Sequence, residues 1–254
     1  MNPILFEVNN NIAFITFNRP DKFNSFNREM ALLFQKHLDE CDESETIRCV
    51  LITGNGNAFS AGQDLNEVTA ENAPDTATIL SEHYNPIIKK IRQLSKPVIA
   101  AVNGVAAGAG ANIALCCDIV IASQSASFIQ AFSKIGLIPD SGGTFFLPRL
   151  IGWQKASALA MLGDKVPAEE AERIGMVYKI FPDNNFLEEA NKIAITISMM
   201  STKGLALTKQ AFNKSFTNNL EEQLKTEEIL QIKASKTEDY QKGVAAFLKK
   251  RREV

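Results

Sequence analysis

Two features of this 254-residue chain carry chemistry in their residue types and spacing. In GVAAGAGAN, Gly104, Gly108 and Gly110 crowd into seven residues directly after the β-branched apolar run 98–102. Glycines where a strand hands over to a helix let the backbone turn tightly and let a ligand approach closely. A helix predicted over 111–115 follows, and the first N–H groups of a helix have no intrahelical acceptor, so they can hold a negatively charged oxygen. Close helix–sheet packing explains the same glycines, and spacing alone does not choose. The second feature is Asp140 in Pro-Asp-Ser-Gly-Gly, a turn in which aspartate is common for backbone hydrogen bonding alone. Against that stand Phe132, Leu137, Ile138, Phe145 and Phe146, an apolar neighbourhood expected to raise the carboxyl pKa above its usual ~3.9. A carboxylate so placed, beside an oxyanion-holding helix, is equipped to abstract a proton alpha to a carbonyl. That is enolate chemistry.

Other chemistries find less support. The glycine cluster lacks the third glycine of GxGxxG, no GxxxxGK[ST] phosphate loop occurs, and no GxSxG elbow is present. Of the two histidines, His37 falls on the inner face of a predicted helix and reads as core, while His83, beside Tyr84, is open to either reading. They lie on different elements, so no metal site is expected. Cys41, Cys49, Cys116 and Cys117 show no CxxC spacing and read as reduced, structural thiols of a cytoplasmic protein. A net charge of -2 gives no field favouring nucleic acid or a membrane; the terminal Lys249-Lys250-Arg251-Arg252 is a short exception. No signal peptide is apparent, and no apolar run reaches the ~18 residues needed to span a bilayer. Neither nucleic acid nor membrane is expected as a partner.

The elements that must position these residues follow from periodicity. Runs 4–8 and 12–17 flank Asn9-Asn10-Asn11, a hairpin signal. Asn27 is placed to cap a helix with Met30, Leu33, Phe34, His37 and Leu38 on one face. Strands are predicted at 49–53, 98–102, 119–122 and 177–181, and helices at 85–94, 144–151, 153–162 and 167–173. Pro148 is tolerated only near the start of its helix, and Pro167 suits a first turn. Residues 66–81 read as a mobile surface loop. After Phe186 the pattern is helical only. The fold class is therefore α/β, with a core over 1–195 and a helical region over 196–254.

Taken together, IAFITFNRPDKFNSF, NAFSAGQDL, KPVIAAVNGVAAGAGANIALCCDIVIAS and FSKIGLIPDSGGTFFLPRLIG resemble the enoyl-CoA hydratase/isomerase (crotonase) superfamily across almost the whole chain. The resemblance implies a spiral of ββα units with a helical C-terminal oligomerisation region, assembled as a homotrimer or hexamer, in some cases with a partner hydratase. It implies an acyl-CoA thioester as substrate and no separate cofactor, coenzyme A arriving as part of the substrate. By the motif, Gln63 and Ala109 supply the two oxyanion N–H groups, and Ser60, Ala61, Asp64 and Leu65 belong to the segment that wraps the CoA adenine. Lys22 is implied near the CoA phosphates, and Lys249 and Lys250 at the CoA of a neighbouring subunit. Hydratases of the family carry glutamates where this chain has Asn112 and Phe132, so water addition is not the expected activity. Asp140 falls where isomerases and a dehalogenase branch carry their acid. The wording of AVNGVAAGAGA, AFSKIGLIPDSGGT and LGDKVPAEEAERIGMV resembles the isomerase branch of bacterial phenylacetate degradation, which rearranges a ring epoxide, with relatives that shift a Δ3 double bond to Δ2. Ile129, Phe132 and Leu137 are the expected acyl pocket. The alternatives are a hydratase-like or aryl-CoA dehalogenase-type enzyme, or a non-catalytic CoA-binding partner of a hydratase.

Overall fold

The computed structural model describes residues 2–252, with side chains up to residue 249. Asn10 and Asn11 take φ of 51° and 62°, the paired left-handed positions of a tight hairpin turn that asparagine tolerates. They fold β1 (Ile4–Asn9) back on β2 (Ile12–Phe17), antiparallel. Thereafter strands come in pairs: β3 (Cys49–Gly54) with β4 (Ala58–Ser60), β5 (Val98–Val102) with β6 (Val105–Ala107), β7 (Ile119–Ser123) with β8 (Ser127–Ile129). β9 (Lys165–Pro167) and β10 (Lys179–Phe181) complete the set. The first member of each pair joins a sheet of order β1-β2-β3-β5-β7-β10, parallel from β2 onward. The second joins a smaller sheet of order β4-β6-β8-β9. The chain thus winds as a spiral of ββα units.

The central strands β3, β5 and β7 are buried on both faces, as strands inside a parallel sheet are. Side chains alternate across it with period two. Ala13, Ile15, Val50, Ile52, Val98 and Ala100 join the main core, which includes α1 (Arg28–Glu43) and α2 (Asn85–Gln93). Ile12, Cys49, Leu51, Ile99, Ala101 and Ile121 point the other way, against Phe186, Ala190, Ala194 and Ile197 of a C-terminal helix. The Asn27 side chain accepts the Met30 N–H at 3.0 Å and so caps α1, as its position in the sequence implies. Asn27→Ala leaves that amide without its cap and is expected to cost about 1 kcal/mol. A melting temperature unchanged by the substitution would remove the cap from the account.

The remaining helices are α3 (Ala109–Leu115), α4 (Gly143–Ile151), α5 (Trp153–Leu162), α6 (Ala168–Arg173), α7 (Phe186–Ser198), α8 (Thr202–Ser215), α9 (Leu220–Ser235) and α10 (Glu238–Arg252). Several boundaries depart from expectation. Residues 66–81 are not one loop: Leu65–Val68 and Thr76–Thr78 are helical, and a π-helical turn, Ile79–Tyr84, runs directly into α2. Pro148 sits sixth in α4 rather than in its first turn, and the helix ends three residues later. Pro167 closes β9 and precedes α6. A boundary between residues 195 and 196 cuts through α7, which belongs to the core it covers. From α8, Lys209 is buried and pairs with Asp118 at 2.8 Å, fastening the helical region to the end of α2 and the start of β7. Among the described residues no helix is long and apolar enough to cross a membrane.

Candidate active site

A cavity of about 370 Å3 opens where four separate segments meet. Ala61, Gln63 and Leu65 come from the chain leaving β4, and Ile79, Leu80 and Tyr84 from the π-helical turn. Gly108 and Ala109 come from the start of α3, and Phe132, Leu137 and Asp140 from the chain approaching α4. Most of this wall is apolar, and Asp140 is its one acidic side chain among the described residues.

Two residues of this wall carry main-chain N–H groups without an intramolecular acceptor among the described residues. Ala109 is the first residue of α3, and the preceding Gly108 (φ 52°, ψ −128°) holds a conformation open to glycine alone. Gln63 is pinned from both sides, because Phe26 N–H donates to Gly62 O at 2.7 Å and Asp64 N–H donates to Phe26 O at 2.8 Å. Among the described residues neither the Gln63 nor the Ala109 N–H has an intramolecular acceptor. The two segments meet at Gly62, where a Cβ would stand 2.8 Å from Ala107 O and 3.2 Å from the Ala109 nitrogen. The Gln63 side chain is fixed as well. Tyr84 Oη donates to its Oε1 at 2.8 Å, and its Nε2 donates to Glu67 Oε2 at 2.8 Å. Burial, reinforced by the negative charges of Asp140, Glu67 and Asp64, keeps the Tyr84 phenol protonated well above its ordinary range.

Asp140 stands in a turn held by its own main chain. Its carbonyl accepts the Gly143 N–H at 2.8 Å and the Asn112 Nδ2 at 2.8 Å. The Ser141 hydroxyl donates to Asp140 Oδ1 at 2.8 Å, with Ser141 itself at φ 50° and buried. Burial raises the Asp140 pKa above the ordinary aspartate value, and the Ser141 hydroxyl opposes that only in part. The apolar surroundings differ from those expected. Phe132 and Leu137 line the cavity, whereas Ile138 is 79% exposed and Phe145 and Phe146 pack edge-on against Phe216 of the helical region.

The structure therefore brings together Gln63, Ala109, Asp140, Phe132, Leu137, Ala61 and Leu65. Other residues named from the sequence lie elsewhere. Ile129 does not line the cavity; it pairs with Ala107 and Lys165 in the small sheet and gives its carbonyl to the Gly108 N–H. The Ser60 hydroxyl is fully buried, donating to Asn24 O and accepting from the Gly62 N–H. Burial works against the Asp64 carboxylate, but Arg19 at 2.8 Å and the Asn66 amide outweigh it and hold its pKa below the ordinary value. These two side chains brace the loop and are not free for a ligand. Lys22 is exposed, next to Phe23, whose carbonyl accepts the Ala61 N–H. Lys249 is exposed on α10, and the Lys250 side chain lies outside the described residues. His83 is buried with Arg28 Nη1 3.2 Å from its Nε2, and Trp153 is 74% exposed on α5. Among the described residues no cluster of His, Cys, Asp or Glu is placed to hold a metal ion.

Sequence reasoning missed Tyr84, Ile79, Leu80 and Lys134 in the cavity wall. Ile79, Leu80, His83 and Tyr84 extend the apolar stripe of α2 backwards, but the π-turn shifts the helical period and Pro86 reads as a helix start.

A family model described as enoyl-CoA hydratase/isomerase matches residues 7–254. The chain is 46% identical over 251 residues to the 1,2-epoxyphenylacetyl-CoA isomerase of Escherichia coli (strain K12), covering 98% of this chain and 96% of that one. It is 34% identical to the 2,3-dehydroadipyl-CoA hydratase of the same organism, covering 94% and 93%. Among solved structures, an enoyl-CoA hydratase from Bacillus anthracis superposes with a TM-score of 0.91 at 31% identity, covering 98% of this chain and 96% of that chain.

Proposed function

Because the chain belongs to the enoyl-CoA hydratase/isomerase family, we propose that its cavity isomerises an acyl-CoA thioester through an enolate held by the Gln63 and Ala109 N–H groups. Asp140 removes the proton alpha to the thioester carbonyl as charge moves onto the oxygen. The two unused amides stabilise that charge in an apolar space where hydrogen bonds act with little screening. For a 3-enoyl thioester, the proton returns at C4 as the double bond moves from C3–C4 to C2–C3. The ring 1,2-epoxide of phenylacetyl-CoA, the type of substrate named for the 46%-identical relative, is the first candidate, and Δ3-enoyl-CoA the second. Phe132, Tyr84 and Leu137 suit a flat aromatic acyl group. No cofactor beyond the CoA of the substrate enters the scheme.

One observation carries this reading: a single carboxyl shares the cavity with two unpaired main-chain donors. A hydratase that activates water with two carboxylates finds no second one here among the described residues, since the wall has Phe132 and the nearby Asn112 is an amide. Dehalogenation with His83 or Trp153 at the ring is not supported by where those residues lie. In the same reading Lys22, Ala61 and Leu65 face CoA, and Lys249 reaches the CoA of a neighbouring copy. Exposed Trp153, Met161 and Phe212 suit burial in a trimer or hexamer, with a partner hydratase as a further contact. Four buried free thiols fit a reducing cytoplasm.

A panel of ring-epoxide, aliphatic 3-enoyl and 2-enoyl thioesters tests the proposal. The highest kcat/KM is expected on the ring epoxide, then the 3-enoyl thioester, with hydration of the 2-enoyl thioester at least about 100-fold lower, as befits a site with one acid–base group rather than two. Hydration faster than isomerisation overturns it. CoA binding without proton exchange at the alpha carbon in D2O would instead make the protein a non-catalytic scaffold.

A further inference from the structure

Ala109 and Asn112 stand three residues apart on α3, on one face of the helix. The first lines the cavity, and its N–H has no intramolecular acceptor among the described residues. The second, 1% exposed, reaches with its amide to the turn that carries Asp140. Asn112 Nδ2 donates to Asp140 O at 2.8 Å, and Asn112 Oδ1 accepts from Gln130 Nε2 at 2.8 Å. Gln130 is itself buried, so the Asn112 amide is held in one orientation by a neighbour that has little freedom. On the other side Gly143 presses against it: a Cβ there would lie 2.3 Å from Asn112 Nδ2 and 2.7 Å from its Cγ. The turn needs such support, because Ser141 follows Asp140 in a left-handed conformation that a non-glycine residue adopts at a cost.

We propose that Asn112 is a positioning residue that fixes the Asp140 carboxyl relative to the Ala109 N–H, so that a single helical turn carries both the oxyanion donor and the anchor of the base. This rests on the isomerase reading and adds to it a residue that does not touch substrate. Gln130 orients the Asn112 amide, and the bare Cα of Gly143 leaves room for it. Loss of the anchor lets the turn relax, and the carboxyl no longer meets the alpha proton while the thioester still binds.

Asn112→Asp is the sharpest test, because it keeps the acceptor for Gln130 and turns the donor into a titratable group. When protonated, the introduced carboxyl can donate O–H to Asp140 O in place of the amide. When ionised it cannot, and its oxygen repels the carbonyl. Alpha-proton exchange of trans-3-hexenoyl-CoA in D2O, followed by NMR across pH, should therefore rise with pH in the wild type and stay up. In Asn112→Asp it should rise and then fall, with kcat about 10- to 100-fold lower on the alkaline side, the order expected when a buried hydrogen bond gives way to repulsion between two oxygens. KM should stay within about threefold, since uniform binding is untouched. A merely structural role for Asn112 produces no new alkaline limb.

Gly143→Ala approaches the same amide from another element and decides the matter if Asn112→Asp does not fold. A fall in kcat of similar size at unchanged KM is expected, with no alkaline limb. If wild-type exchange is abolished by Asp140→Asn but Asn112→Asp and Gly143→Ala keep wild-type kcat and pH profile, this inference fails and the isomerase reading stands. A wild type that exchanges no alpha proton, or whose exchange survives Asp140→Asn, removes both.

Discussion

Asp140→Asn should lower isomerisation of a 3-enoyl-CoA by about 100- to 10,000-fold, the usual worth of a positioned proton-transfer group. The amide keeps the size of the side chain and can still accept from Ser141, so the turn held by Asn112 and Gly143 is expected to persist. Thioester affinity should therefore change little, and the loss should appear in kcat. Activity retained within about tenfold would show that another group moves the proton. The wild-type rate depends on an ionised Asp140, and burial raises the pKa of that carboxyl. The acid limb of kcat/KM should accordingly lie above the ~4 of an ordinary aspartate, and it should vanish from the residual activity of the variant.

The same substitution has a consequence for stability, with a definite sign. The folded-state pKa of Asp140 lies above its unfolded value, so this group favours the native state fully only below the unfolded pKa. That contribution is lost as pH rises from there through the folded pKa. Once ionised, Asp140 is a poorly hydrated carboxylate in the native protein, and replacing it with a neutral amide removes that cost. Asp140→Asn should melt no lower than the wild type at pH 7, with any gain shrinking below about pH 4. An inactive variant that is also much less stable would point to a structural role for Asp140.

Much of this geometry could be read before any coordinates. The turn at Asn10-Asn11, the cap at Asn27 and the buried strand at 98–102 announce themselves because one local preference decides each. Asp140 and the glycines around Ala109 marked tight turns, but their residue types alone left backbone hydrogen bonding and close packing as equal explanations beside chemistry. The second sheet is harder. Its strands β4, β6, β8 and β9 are three residues long apiece, too short for a period of two to register. With them went the register that turns Ile129 away from the cavity. Tyr84 was hidden by the π-turn, which spoils the 3.6-residue period where the segment enters the wall. Ser60 and Asp64 show a different limit. Motif membership placed them beside a ligand, but only coordinates show their polar atoms already taken by Asn24, Gly62, Arg19 and Asn66.

Gly62→Ala should be about as damaging to the enolate step as losing one oxyanion donor outright, about 100- to 1,000-fold in kcat. Two costs coincide at this position. Its φ of +87° is one that an L side chain rarely adopts, and the new Cβ would lie 2.8 Å from Ala107 O and 3.2 Å from the Ala109 nitrogen. Both obstacles are backbone, which cannot swing aside as a side chain can. Relief has to come from moving the β6–α3 junction, which displaces the Ala109 N–H, or from rotating the peptide between Gly62 and Gln63, which displaces the other donor. Gly152→Ala separates strain from displacement. That glycine has φ +79° with nothing within 4 Å, and it joins α4 to α5 away from the cavity. It should cost stability, about 1–3 kcal/mol, because φ +79° with ψ 161° is a region essentially restricted to glycine, while kcat stays near wild type. If Gly62→Ala also keeps kcat within about threefold, the negative charge is not held where the two segments touch. The amides of Gln63 and Ala109 would then have to give up their role to donors elsewhere in the cavity wall.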